Sequence, residues 1–523
     1  MAISRWLAPC AAAAALVTPA TAQADDEPPV VAPVVAPPRG RALLRSRVRT
    51  RPPRSADELE ETRRPSSRGP EGFPLAGYHG GRFFLRDDHD QFRLYPGLLM
   101  QVDTRATLGR GVDDVTGPAG DPLRPQMTMR RARVDLGGEI LSRWSFFLSG
   151  DLAGPTPHLE HGFLQVRVAR WLSLSLGQQQ VPFTMENRTD ESQMMWLERP
   201  LAVRFAQPSN KDLGLMASGR TRGGVFAYEA GAFGGDANQE RGPVRANVDA
   251  RVDGVARVYA RPLATTGTIA RDIQIGASVR YGMRRKRDVH YPLAPITTDG
   301  GTTLFATSYR GPDGRTVNIL PSGLDTAFAG EVRVPVSRLD FRLEFVSLRR
   351  NTREAQAGLE AATSERFGHL SGTAFYAQLG VFLMGRPSLR QAPGRFAPPH
   401  IGFPKGHPQK APRGLEIVLR GESLRATYSA GDRASAPGDA RPDQRVAVDV
   451  VGAGVNYYAT HHASLSLGYG YVMLPGSYTG DNSALAPGNL GCPTRRVDVG
   501  PNTACHNGAH SLHELTLRGQ IAF

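Results

Sequence analysis

From about residue 80 to the end, hydrophobic and polar side chains alternate with a period of two in run after run. The clearest are 98–105 (LLMQVDTR), 131–136 (RARVDL), 144–149 (WSFFLS), 164–168 (LQVRV) and 172–176 (LSLSL). Further on come 273–281 (IQIGASVRY), 339–345 (LDFRLEF) and 463–469 (ASLSLGY). Successive side chains of a strand point to opposite faces, so each run predicts a strand with one oily and one polar face. The final run makes the division plain. Leu515, Leu517, Gly519, Ile521 and Phe523 share one face, and Thr516, Arg518 and Gln520 share the other. Such a strand suits the last strand of a soluble sandwich or the closing strand of an outer-membrane β-barrel. A terminal aromatic favours the barrel, with Phe523 as assembly signal for the barrel-assembly machinery and as a lipid contact.

Weaker runs near residues 213, 225, 251, 326, 373, 415 and 445 bring the expectation to about sixteen strands. Each strand with its connection then takes about 28 residues, room for a strand of ~10, a tight turn and a longer loop. Links at 142–143 and 170–171 are short, whereas 282–325, 383–413 and 472–511 are long and rich in Gly and Pro. Short turns on one side and long loops on the other are expected of a membrane barrel, so the three long links are placed outside. A barrel of this size is too wide for wall side chains to fill and is expected to enclose water. The fold expected is all-β: a transmembrane antiparallel barrel of about 16 strands behind a Pro/Arg-rich N-terminal linker.

The beginning of the chain supplies an address. Arg5, an apolar stretch over 6–17 and Ala22-Gln23-Ala24 describe a signal peptide cleaved after residue 24. The stretch is too short to span a bilayer as a helix. Residues 25–78 read as a semi-extended periplasmic linker. Proline is dense in its first part, and Arg39, Arg41, Arg45, Arg47, Arg49, Arg51 and Arg54 follow. Contact with peptidoglycan is one expectation for it and a solvated tether the other. Residues 79–523 would be the barrel. Removal of the signal takes Cys10 with it, and Cys492 and Cys505 remain as an even pair in an oxidising compartment. They are expected to form a disulfide inside a Gly/Pro/Asn-rich loop.

Composition agrees with a barrel. Mean hydropathy is −0.32, as when every second strand residue faces water. Net charge is +14 and the pI about 10.1, which ordinarily raises nucleic acid as a partner. Export argues against that partner, leaving outer-membrane lipid and small anions. The excess is almost all arginine, with lysine at Lys211, Lys286, Lys405 and Lys410 alone. Arginine keeps its charge and grips carboxylate or phosphate through a planar fork. Strand parity puts Arg131, Arg133, Arg167, Arg280, Arg333, Arg342, Arg420 and Arg518 on polar faces, with Asp135, Glu139, Asp151, Asp340, Glu344 and Asp449 beside them. A charge on the lipid face near mid-membrane costs ~2–4 kcal/mol, so these residues must face the lumen or the rim. The arginines are therefore candidates for a pore-lining, anion-attracting wall, and pairing with the acids is their alternative role.

Residues 129–214 carry a run of short motifs in order: 130–133 (RRAR), 144–146 (WSF), 150–152 (GDL), 161–166 (HGFLQV), Gly177-Gln178-x-x-x-Pro182-Phe183, 186–189 (ENRT), 197–200 (LERP) and 212–214 (DLG). This order resembles the phosphate-selective porins O and P of Gram-negative outer membranes. The resemblance implies a sixteen-stranded homotrimeric porin with a loop folded into its lumen. That loop would be residues 178–212, with Arg188, Arg199, Arg204 and Lys211 at the constriction. The chain departs from the family in its scarcity of lysine, and Gln180 stands where the motif usually carries one. The expected function is passive diffusion of small, preferentially anionic solutes. A structural barrel that anchors long outer loops and contacts the cell wall is the alternative. No G-x-S-x-G element or dinucleotide fingerprint suggests an enzyme or a cofactor. The spacings of His461, His462, Cys505, His506 and His510 match no common metal pattern.

Overall fold

The computed structural model describes residues 75–79, 82–108, 125–154, 156–206, 210–235, 252–284, 292–301, 303–305, 307–310, 316–356, 366–387, 413–429, 444–474 and 511–523. The signal peptide, nearly all of the expected linker, and Cys492 and Cys505 lie outside these residues.

Alternation of the kind read in the sequence gives sixteen long strands among the described residues. They are β1 (Phe92–Leu108), β2 (Gln126–Ile140), β3 (Trp144–Asp151), β4 (His158–Ala169), β5 (Leu172–Gln180), β6 (Lys211–Arg220), β7 (Phe226–Phe233) and β8 (Asp253–Ala260). Then follow β9 (Gln274–Arg284), β10 (Thr316–Val336), β11 (Leu339–Gln356), β12 (Arg366–Met384), β13 (Gly414–Ser429), β14 (Gln444–Tyr458), β15 (Ala463–Met473) and β16 (Ser511–Ala522). Each pairs antiparallel with its neighbour in sequence, and β16 returns to β1 with Arg518 opposite Asp103. The sheet is closed, so no strand edge is left open along the seam.

Faces divide as alternation requires. On β16, Leu512, Glu514, Thr516 and Arg518 are buried inside, while Leu515 and Leu517 are 45% and 41% exposed outside. The outward face of β11 runs Leu339, Phe341, Leu343 and Phe345 before it turns polar. Local backbone details serve this shape. Leu141 and Ser142 have φ of 52° and 55°, a left-handed pair that reverses the chain between β2 and β3. Gly177 on β5 has φ of 132°, and a Cβ there would lie 2.2 Å from the Gly162 carbonyl oxygen, so only glycine fits. A bulge opposite Gln101 and Val102 inserts Arg130 as an extra residue in β2. Arg130 and Arg131 can then both contact interior groups, as strict alternation would forbid.

Three expectations are corrected. The connection 385–413 joins β12 to β13 at the end that carries the turns 141–143, 170–171 and 337–338 and the chain terminus. Strand direction requires this, since Met384 pairs with Leu415 beside the 337–338 turn. Length and Gly/Pro content alone had placed it among the outer loops. Asp449, in turn, lies on the outer face, where it pairs with Arg425 at 2.7 Å. Its neighbours Val446 and Val448 point inward, because the interior near the loop end is itself apolar and polar-inside parity inverts there. The interior, lastly, is not simply water. Residues 181–206 and 292–305 fold into it and, with inward wall residues, form a cluster of buried apolar side chains.

Before β1, Ala76–His79 and Arg82–Arg86 form a hairpin. Its second strand pairs with β1, Leu85 opposite Leu94 and Arg86 opposite Arg93, at the turn end. Residues 76–78, which fall in the expected linker, thus join the sheet through Arg82–Arg86.

Candidate functional site: the barrel interior

The loop between β5 and β6 contains a short 3-10 turn (Glu191–Gln193) and the helix α1 (Leu201–Ala206). Almost every described residue of it is buried. Apolar residues anchor it. Phe183, Leu201, Val203 and Phe205 enter the main cluster, while Met195, Trp196 and Leu197 pack with Val418 on β13. Gly452 and Gly454 on β14 make room for the indole, since a Cβ there would stand 2.8 and 3.1 Å from Trp196. The loop begins at Val181 and ends before Lys211, a little inside the expected 178–212.

Wall charges hold this loop by its backbone. Glu344 accepts from the amides of Met185 and Glu186, and Glu422 from that of Leu201 at 2.5 Å. Arg420 donates to the Glu198 carbonyl at 2.7 Å, Arg280 to that of Ala206 at 2.6 Å, and Arg518 to that of Leu197. Asn456 and Gln520 donate to the carbonyls of Met195 and Ser192 at 2.9 and 3.1 Å. Buried peptide groups away from a helix or ladder need such partners. Carboxylates and arginines on strands distributed around the barrel supply them.

The expected wall arginines fall into two groups. Arg133 contacts Asp151, Glu160 and Glu191 at 3.0, 2.7 and 3.0 Å. Arg280 pairs with Asp325 at 2.9 Å, Arg333 with Asp340 at 2.9 Å, and Arg342 with Glu186 and Asp340 at 3.0 and 3.1 Å. Arg420 pairs with Glu422 at 2.5 Å and Arg518 with Asp103 at 2.6 Å. All six are buried. Arg131 is also buried, but among the described residues its hydrogen bond goes to the neutral Gln101, at 2.6 Å. Arg167 is exposed near the turn end, where Gln165 and Ser173 are also partly accessible.

The loop cations are paired too. Arg188 binds Glu229 at 2.6 Å, Arg199 binds Glu191 at 3.2 Å, Arg204 binds Asp299 at 2.6 Å, and Lys211 binds Glu160 and Glu191. Burial alone would raise the Glu191 carboxyl, but Lys211, Arg133 and Arg199 outweigh it and hold it well below the usual carboxylate range. Glu198 is lowered in the same way, against its burial, by Arg130, Arg131 and Arg518. Asp151, His158 and Glu160 bring ligand atoms within 4.8 Å of one another. Arg133 and Lys211 already occupy their carboxylates, which weakens the group as a metal site.

Sequence reasoning missed the second inward segment. Leu293, Ile296, Leu304 and Phe305 are buried in the main cluster. Asp299 accepts from Trp196 Nε1 at 2.8 Å and pairs with Arg204, and Thr298 donates to Glu514. The available signal was a set of apolar residues in an otherwise Gly- and Thr-rich connection.

Two segments thus fold inward, one of them leaving the third hairpin of a closed sixteen-stranded barrel. The family model of the phosphate-selective porins O and P matches residues 102–270. That span runs from β1 to the turn after β8 and includes the first inward loop. No curated protein matches. Among solved structures, the chain is similar to OmpT of Vibrio cholerae, at 10% identity and TM-score 0.44, over 84% of this chain and 100% of that one. It is similar to an anion-selective porin from Comamonas acidovorans, at 10% identity and TM-score 0.43, over 83% and 100%. The outer-membrane channel DcaP of Acinetobacter baumannii is a third, at 10% identity and TM-score 0.40, over 83% and 97%.

Proposed function

We propose that this protein is an outer-membrane channel for the passive diffusion of small solutes, with a weak preference for anions. A closed sixteen-stranded barrel, oily outside and densely charged inside, carries the reading. Lipid surrounds such a barrel, and the turn end, with the links 141–143, 170–171 and 337–338 and the longer connection 385–413, faces the periplasm. The family model supports the same channel reading, and the homotrimer that the resemblance implies is proposed with it.

Most interior arginines are neutralised by neighbouring acids or spent on the loop backbone. Among the expected wall arginines Arg167 is the exposed one, so the anion preference is correspondingly modest. Phosphate selectivity is not part of the reading. Gln180 is buried at the position where the family motif usually carries lysine, and Lys211 is tied to Glu160 and Glu191. The chemistry is binding and passage, with no catalytic group assigned.

One observation favours a second reading, a structural barrel that anchors outer loops. Inward segments and wall form a dry cluster across part of the lumen. Planar-bilayer recording of the purified protein separates the two. A channel gives discrete ohmic steps and a reversal potential that favours chloride in a KCl gradient, less so as salt rises. Absence of steps from correctly folded barrels would support the structural reading, and a clear cation preference would remove the anion assignment.

A further inference from the structure

Three guanidiniums converge on Glu198 of the inward loop. Its Oε1 accepts from Arg105 Nη2 at 2.6 Å, Arg130 Nε at 2.8 Å and Arg518 Nη2 at 3.2 Å, and its Oε2 from Arg130 Nη2 at 3.2 Å. Arg130 thus grips the carboxylate with its planar fork, as arginine grips a bound oxyanion. The bulge in β2 brings Arg130 there, and among the described residues Glu198 is the one carboxylate it contacts. Asp103 takes the fork of Arg518 and accepts from Arg105 Nη2 at 2.8 Å. Arg105, Arg130 and Arg518 therefore meet two carboxylates, Asp103 and Glu198, and one positive charge is left over.

Glu191 also meets three cations, but its site is sealed, with the side chains of Arg133, Arg199 and Lys211 only 6%, 11% and 6% exposed. Around Glu198 the side chains of Arg105 and Arg130 are 20% and 38% exposed, so a solute ion can reach them without unseating the loop. Nor does the loop depend on this carboxylate for its seat. Arg518 holds the Leu197 carbonyl, Arg420 the Glu198 carbonyl at 2.7 Å and Glu422 the Leu201 amide at 2.5 Å, while Leu197 packs with Val418.

We propose that Glu198 is a tethered anion, filling a cradle of Arg105, Arg130 and Arg518 that holds a small oxyanion, such as inorganic phosphate or a carboxylate, once the Glu198 charge is removed or withdrawn. The proposal rests on the channel reading above. With the tether in place, a permeating anion meets one net positive charge and passes on. Without it, two are left among donors already arranged around an oxygen, and an oxyanion is captured.

The test is planar-bilayer recording of the full mature chain in KCl, with inorganic phosphate added, for wild type, Glu198→Gln, Glu198→Asp and the double variant Glu198→Gln/Arg130→Gln. Folding is checked by heat-modifiable migration. The chloride-to-potassium permeability ratio should rise at least about threefold in Glu198→Gln. Phosphate should halve the chloride current of that variant at a concentration at least about tenfold below that needed for wild type. Adding Arg130→Gln should remove the block. Glu198→Asp keeps the charge but draws it back by one methylene, so its block should be intermediate, and the cradle stays testable if the neutral variant folds poorly. Phosphate sensitivity in folded Glu198→Gln or Glu198→Asp equal to that of a conducting wild type overturns the cradle and leaves the channel standing. A block that survives Arg130→Gln places the bound anion elsewhere and also overturns it. A folded wild type that does not conduct overturns both readings.

Discussion

Arg518 on the last strand holds Asp103 on the first through two hydrogen bonds, Nε to Oδ1 at 2.6 Å and Nη2 to Oδ2 at 2.8 Å. The two residues are 415 positions apart and directly opposite in register across the seam that closes the barrel. Both are buried, and the same guanidinium continues to Glu198 and the Leu197 carbonyl of the inward loop. Closure of the wall and seating of the loop therefore share one side chain.

Removal of one partner should weaken a buried network, at a cost below the ~3–5 kcal/mol of a wholly unpaired buried charge, because Glu198 still faces Arg518 and Arg105 still faces Asp103. Arg518→Gln and Asp103→Asn are expected to lose the compact, heat-resistant electrophoretic form at clearly lower temperature. The double variant should be less harmed than the two effects summed. Strict additivity in that cycle would show that the pair is not coupled.

How far the sequence discloses this molecule depends on what alternation encodes. Strand number and the faces of Leu515, Leu517 and Arg518 follow from period two, because lipid on one side and polar groups on the other leave few registers open. The inward loop was legible through motifs at Gly177–Phe183 and Leu197–Pro200. Asp449 was misassigned because part of the interior is dry, so the polarity rule that sorts faces no longer applies near Val446 and Val448. The 385–413 connection was misplaced because composition says that a segment is a loop, and only strand direction says at which end. The role of Glu344 or Arg420 in holding loop peptides was not legible at all. It depends on contacts between residues 150 or more positions apart, which no local pattern records.

The carboxylate anchors give a second expectation. Glu344→Ala leaves the amides of Met185 and Glu186 without their acceptor, a loss of about 1–3 kcal/mol per buried group. The loop should leave its seat part of the time, seen as larger and noisier unitary currents. Deletion of residues 186–204 should enlarge the conductance further and remove the noise. If neither change alters conductance, the loop does not limit the path.

Acid should loosen the loop through Glu191. Its carboxyl is held below the usual range when folded, so it contributes stability above that range and loses it as pH falls through the lowered value. The loop is therefore expected to hold through mildly acid solution and to release only below about pH 4. Conductance against pH should show a step on that limb. Glu191→Gln, which cannot titrate there, should abolish it, and persistence of the same step in that variant would assign the transition to another group.

Phe523 is expected to serve assembly and rim packing separately. Its ring stacks on His462 at 4.9 Å and 18°, tilts against Phe83 at 5.8 Å, and its amide donates to the Leu98 carbonyl at 2.9 Å. Such aromatic contacts contribute about 0.5–1.5 kcal/mol each beyond their buried area. His462→Ala removes the stacking partner and leaves the terminal residue intact, so insertion should proceed and only the heat resistance of the inserted barrel should drop slightly. Phe523→Asp changes the residue itself and puts a charge against the Phe83 ring. It should reduce the amount of membrane-inserted protein as well as its heat resistance. The two variants are compared by the fraction that reaches the membrane and by the temperature at which the inserted form unfolds. Normal insertion of Phe523→Asp would restrict Phe523 to packing at the rim, and an insertion defect in His462→Ala as large as that of Phe523→Asp would show that the stack, not the terminal aromatic, is what assembly requires.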